Sequence, residues 1–364
     1  MYAVVVFHYL LFLSVFSAYS ALNSDRRLFS VNKEVEGQMA RILVTGGAGF
    51  IGSNLCERLL ADGNNVHAFD DLSTGSMTNI RQLIGAPGFE YTIASILEED
   101  LLAAAIYSSD VVVHLAAAVG VRLVVDDPVN TITTNIRGSE LVLRHASSKG
   151  RKVILASTSE VYGKGTHLPF REDDDMLFGP SVNSRWCYGC SKAIDEFLAL
   201  AYARKRALPV VILRFFNVVG PRQTGRYGMV LPRFVQQALA GRPITVYGTG
   251  EQTRTFTHIA DAIEAVTLVM NDSQCLGEVL NVGSIQEISI NELADKVRRV
   301  VNPEVEIAHI PYNEAYGTGF EDMERRVPDT NKISRLLHFS PRHSVDDCIK
   351  SVADYFRSMG EDAR

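Results

Sequence analysis

The sequence predicts an α/β protein: a doubly wound parallel sheet with a smaller C-terminal lobe. Three observations carry this. Short β-branched runs alternate with longer amphipathic stretches from Arg41 onward. A glycine-rich turn follows the first of those runs and opens the first helix. After about residue 220 the texture changes, and Gly and Pro punctuate shorter segments (Gly220-Pro221, Gly241, Gly248, Gly250).

The strands are expected at 41–45, 65–69, 111–115, 152–156 and 209–213, with helices such as 51–62, 129–149 and 187–206 between them. Val111-Val112-Val113 is apolar throughout, as a strand covered on both faces should be. Further on, helices at 229–240, 259–271 and 290–301 alternate with short strands. They predict a discontinuous lobe, with some segments returning to the sheet. The expected division is therefore an extension over 1–38, a Rossmann-type sheet domain over 39–220 and a lobe over 221–357. The acidic run Glu172-Asp173-Asp174-Asp175 reads as a solvated loop.

Composition narrows the function. With 364 residues, 46% hydrophobic and 21% charged, the chain can bury a sizeable core. Its net charge of −6 argues against a nucleic-acid partner. Five scattered cysteines are not a secreted disulfide framework, and they fit a reducing compartment such as the cytoplasm. Residues 3–22 are apolar and almost uncharged. They read either as a signal peptide or membrane anchor, or as residues ahead of a true start at Met39. Arg26-Arg27 after the run favours an uncleaved anchor over a signal peptide. A membrane partner is expected only if this segment is a genuine anchor.

The turn Gly46-Gly47-Ala48-Gly49-Phe50-Ile51-Gly52 is informative because a strand precedes it and a helix follows. The first glycine allows the tight turn, the middle one admits a pyrophosphate, and the last lets helix pack on strand. Gly46, Gly49, Phe50, Ile51 and Gly52 are thus candidate cofactor-binding residues, with phosphates at the helix N-terminus. Asp70 ends the second strand, where a carboxylate bonds an adenosine ribose and disfavours a 2′-phosphate. The expected cofactor is NAD. Tyr188 and Lys192 lie four apart on one helix face. An ammonium near a phenol favours the phenolate, which makes the pair a candidate catalytic base. Cys187 and Cys190 flank that tyrosine and read as ordinary helix packing, since a metal would need about four ligands.

Taken together, TGGAGFIG (45–52), Asp70, HLAA (114–117), STSEVYG (157–163), YGCSK (188–192), RFFNVVGPR (214–222) and VYGTGEQTRTF (246–256) resemble the extended short-chain dehydrogenase/reductase family. The resemblance covers residues 41–357 and is to its nucleotide-sugar epimerases, dehydratases and decarboxylases. It implies transient oxidation at sugar C4, with Tyr188 taking the hydroxyl proton, Lys192 on the nicotinamide ribose and holding Tyr188 ionised, Thr158 sharing the C4 hydroxyl, and Ala116 beside the cofactor. Ser159-Glu160 stands where dehydratases carry Asp-Glu and UDP-glucuronate decarboxylases carry Ser-Glu. The expected reaction is decarboxylation of UDP-glucuronate to UDP-xylose. A UDP-glucose or UDP-glucuronate 4-epimerase is the alternative. A 4,6-dehydratase and a catalytically idle NAD-binding protein rank below both. Glu160 would orient the ring or help move a proton at C5, or else serve as a structural carboxylate. By the same resemblance Asn217 and Arg254 meet the diphosphate, Tyr247 the uracil, Arg326 a phosphate or the sugar, and Arg226 a sugar carboxylate. Ser95 stands where the family has an adenine-contacting aspartate. Homodimerisation through the helices near 129–149 and 187–206 is also implied.

Overall fold

The computed structural model describes residues 39–120, 126–225, 229–316 and 323–361. The extension 1–38, and with it the apolar run, lies outside them, as does Arg226.

In chain order the strands are β1 (Arg41–Thr45), β2 (Asn65–Asp70), β3 (Phe89–Ile93), β4 (Val111–His114), β5 (Lys152–Thr158), β6 (Val210–Phe215), β7 (Val218–Val219), β8 (Ile244–Tyr247), β9 (Thr253–Thr255), β10 (Thr257–His258), β11 (Val279–Val282), β12 (Glu287–Ser289), β13 (Ile307–Ile310) and β14 (Arg325–Arg326). The helices are α1 (Phe50–Ala61), α2 (Glu99–Tyr107), α3 (Pro128–Lys149), α4 (Cys187–Arg206), α5 (Val230–Leu239), α6 (Ile259–Asn271), α7 (Ile290–Val301), α8 (Tyr312–Tyr316), α9 (Asn331–Leu337) and α10 (Val345–Glu361).

Seven strands form the main sheet in the order β11-β6-β5-β4-β1-β2-β3, every pair parallel. β1 lies between β2 and β4, so the winding reverses there. A crevice for ligands opens at such a switch point, outside the carboxyl ends of the strands. The apolar runs are buried on both faces, as β6 is at every residue. One core beneath α1 and α6 includes Val44, Leu55, Ala68 and Val266. The opposite one, under α2 and α3, includes Leu43, Leu102, Val112 and Leu141.

β11 is a segment that returns to the sheet, pairing with β6 through Val279↔Ile212 to Val282↔Phe215. Asn281 interrupts its apolar run, which is why the segment does not read as a strand. That asparagine is fully buried because its side chain joins the Tyr162 hydroxyl to the carbonyls of Phe170 and Asp329. The helices 187–206, 259–271 and 290–301 stand as expected, and the strands differ from expectation by one or two residues at their ends.

A separate core, with Leu231, Phe234, Val246, Leu293 and Ile349, joins α5, α7 and α10 beside β8. The acidic run corrects one expectation. Glu172 is half-buried, and its carboxylate accepts the Asn281 backbone N–H at 2.8 Å. The loop is pinned to the end of β11 there, not fully solvated.

Candidate active site

The glycine turn leaves β1 at Gly46, whose φ of +72° is open to glycine and strained for other residues. A Cβ on Gly52 would stand 2.0 Å from the Gly46 carbonyl oxygen, so only glycine lets α1 begin so close to the turn. The helix is capped by Gly49 without any side-chain hydrogen bond. Its first N–H groups therefore face the crevice, the arrangement that receives a pyrophosphate. Asp70 is buried at the end of β2. Its carboxylate accepts the Leu72 N–H at 2.8 Å and the Ala48 N–H at 3.0 Å. Burial pushes its pKa up, against the pull of those amides.

A cavity of about 400 Å³ runs from this turn to the second lobe. It gathers Gly46, Gly49, Phe50, Ile51, Gly52, Asp70 and Ala116 with Thr158, Glu160, Tyr188 and Lys192, and further along Asn217, Tyr247, Arg254 and Arg326. Every expected site residue within the described part of the chain lies on this one surface. The glycine cradle, the uncapped helix end and Asp70 fit a dinucleotide.

Thr158 closes β5 and caps a 3-10 turn, Ser159–Tyr162, by accepting the Glu160 N–H at 3.2 Å. Its side chain also hydrogen-bonds the Tyr188 phenol. Tyr188 and Lys192 both sit in the first two turns of α4. Lys192 Nζ donates to Asp195 Oδ2 at 2.8 Å. Burial drives the Tyr188 pKa upward, and Glu160 and Asp195 add to this. The lysine's charge is matched by a carboxylate on its own helix face.

Glu160 is the centre of an ion cluster. Arg185 lies 2.5 Å from one carboxylate oxygen and Arg326 2.9 Å from the other. Burial alone would raise this carboxyl, but the Arg185 and Arg326 guanidiniums outweigh it and hold the pKa down to about 2. A group so acidic does not carry a proton at neutral pH. Among the roles expected for Glu160, its two ion pairs fit the structural carboxylate. Arg326 stands in register with Arg254 on neighbouring strands. Like charges there repel, and Glu160 offsets them.

Asn217 occupies a left-handed backbone position (φ +38°), and its amide donates to the Thr255 carbonyl at 2.8 Å. Arg254 donates to the Thr253 carbonyl at 2.8 Å. One face of Tyr247 is covered by the Arg233 guanidinium, 3.7 Å from the ring centre. A base could meet Tyr247 only on its other face or its edge. Ser95 turns back into its own chain: its Oγ accepts the Leu97 N–H and its N–H donates to Glu98. Two site residues escaped the sequence reading. Arg185 sits three residues before Tyr188, and that spacing was the available signal. Arg233 sits mid-helix in α5, where nothing marks it before the fold brings it to Tyr247.

Fold and site together define an NAD-dependent enzyme of the doubly wound α/β class. The chain belongs to the NAD dependent epimerase/dehydratase family, whose pattern matches residues 42–283. It is 41% identical to the UDP-N-acetyl-alpha-D-glucosaminuronate decarboxylase of Bacillus cytotoxicus over 88% of this chain and 99% of that one. It is 34% identical to UDP-glucuronic acid decarboxylase 1 of Xenopus tropicalis, over 88% of this chain and 73% of that one. Among solved structures it resembles the UDP-glucuronic acid 4-epimerase of Bacillus cereus in complex with UDP-glucuronic acid and NAD. That pair shares 31% identity and a TM-score of 0.79, over 88% of this chain and 99% of the other.

Proposed function

We propose that the chain is a decarboxylase of a UDP-linked uronate sugar, UDP-glucuronate or its 2-acetamido counterpart. The observation that carries this is the Glu160–Arg185–Arg326 cluster beside Tyr188, with Arg254 close by. Three guanidiniums against one carboxylate leave a net positive site, matched to a diphosphate and a sugar carboxylate together. Residues 39–220 would hold the cofactor, and Asn217 with the 221–357 lobe the nucleotide.

The glycine turn at 46–52, Asp70 and Lys192 would hold NAD, which would supply hydride acceptance from sugar C4 and its return. Tyr188 takes the C4 hydroxyl proton, helped by the Thr158 hydroxyl and by Lys192. The resulting C4 ketone makes the C5 carboxylate part of a β-keto acid. That carboxylate leaves as carbon dioxide, its bond electrons pass into the ketone to form an enolate, and a proton from water then replaces it at C5. No strong acid is needed for this step. Ser159, buried beside Glu160, is a poor acid for expelling water, so dehydration is disfavoured. Glu160 stays anionic and fixes Arg185 and Arg326.

A UDP-sugar 4-epimerase is the second reading, favoured by the likeness to the Bacillus cereus epimerase. Incubation with UDP-glucuronate, UDP-N-acetylglucosaminuronate, UDP-glucose and UDP-galactose separates the two. A pentose product with carbon dioxide supports the decarboxylase, and inversion at C4 with the carboxylate retained supports the epimerase.

We also propose a homodimer. On the face shared by α3 and α4, Val129, Ile132, Ile194 and Phe197 are exposed, Phe197 by 68%. No helix among the described residues is long and apolar enough to cross a membrane. The five cysteines are free, which favours a reducing compartment.

A further inference from the structure

We propose that Asp195 is a positioning residue for the reaction: it holds the Lys192 ammonium in a buried ion pair and so sets how much of that cation's field reaches Tyr188. This rests on the reading of Tyr188 as the base. Asp195 follows Lys192 by three residues on α4, which puts both on one helix face. The carboxylate is fully buried and the ammonium 3% exposed. A lone charge at such a place would be expelled or neutralised, so each depends on the other.

The Asp195 carboxylate also meets a row of buried polar groups that starts at the cofactor loop. The Ala116 N–H donates to Thr45 Oγ1 at 3.3 Å, which leaves the Thr45 hydroxyl proton for His114 Nδ1 at 2.7 Å. His114 Nε2 lies 3.3 Å from Ser139 Oγ, and with the Thr45 hydroxyl donating to Nδ1 the ring proton is on this side. Ser139 in turn hydrogen-bonds Asp195. Burial, and then Lys192, hold the His114 pKa down to about 3, so the ring is a neutral relay. Three neutral side chains from β1, β4 and α3 thus lead up to the Asp195 carboxylate, which Ser139 hydrogen-bonds beside Lys192.

The consequence falls on Tyr188. The charged groups that act on it are Glu160 and Arg185 from the 3-10 turns and Asp195 from α4, with Lys192 one helical turn along. Arg326 and Arg254 act on it through Glu160. Glu196, next along α4, is bound to Arg214 at 2.7 Å. Among these, Asp195 is the carboxylate that directly matches the lysine.

Asp195→Asn removes the charge and keeps the shape. With UDP-glucuronate and UDP-N-acetylglucosaminuronate as substrates, the acid limb of its kcat/KM profile is expected to move to lower pH by about one pH unit. NAD should stay bound. Asp195→Glu keeps the charge, and its limb should remain with that of the parent chain. An Asp195→Asn limb that does not move, or an Asp195→Glu limb that moves as far, overturns the inference. If the Asn variant fails to fold, as judged by circular dichroism and bound NAD, the Glu profile decides. Tyr188→Phe is run alongside. Full turnover by that variant, or none by the parent chain, overturns the underlying reading instead.

Discussion

Glu160→Gln is the perturbation whose size the structure fixes best. It preserves the side-chain shape and removes the one anion between Arg185 and Arg326. Holding the carboxyl at about 2 against an ordinary 4.5 corresponds to roughly 3 kcal/mol at neutral pH. Breaking a buried pair outright costs about 3–5 kcal/mol, and the opening of this site to the cavity puts it at the lower end. The thermal midpoint should fall by roughly 5 °C, small because the folded unit is large. The pH dependence gives a second reading. A carboxyl whose folded pKa is depressed stabilises fully above its unfolded value and loses that as pH falls towards the folded one. The gap between parent and variant should therefore be full at pH 7 and shrink to under half by about pH 3. Scanning fluorimetry across that range measures it. Turnover should fall by roughly 100-fold, since both guanidiniums lose their anchor, without a rise in KM. A midpoint unchanged within about one degree, or a gap that does not close in acid, would refute the reasoning.

Tyr188→Phe should keep bound NAD and lose turnover by roughly 100-fold or more, read by product formation on the purified protein. Gly52→Ala should lose NAD and lower the thermal midpoint, because its Cβ would collide with the Gly46 carbonyl; absorbance of the released cofactor measures this. Phe197→Glu should convert a dimer to a monomer in sedimentation while the circular dichroism stays unchanged, because it places a charge on an exposed apolar face.

The fold was legible where local pattern and burial agree. Val111-Val112-Val113 can only be a strand covered on both sides, and the glycine turn marks its own strand and helix. β11 was not legible, because Asn281 breaks its apolar run and its partner β6 is about 65 residues earlier. The site follows the same rule. Tyr188 and Lys192 announce themselves by spacing on one helix. The grip of Arg185 and Arg326 on Glu160 does not, since it joins two 3-10 turns to the short strand β14, which lies far along the chain from both. The surroundings of Lys192 follow the same rule. A motif names the lysine, but only the fold shows Asp195 and the row from Thr45 through His114 and Ser139 that fixes it.

On the proposed reading, this cationic cavity removes the carboxylate of a UDP-linked uronate by way of C4 oxidation. The direct measurement is NMR of the product formed by the purified protein from UDP-glucuronate labelled with carbon-13 at its carboxylate, with UDP-N-acetylglucosaminuronate run in parallel. The account predicts labelled carbon dioxide and a UDP-pentose, without added NAD if the cofactor co-purifies. A product that keeps its labelled carboxylate and differs only at C4 would contradict it.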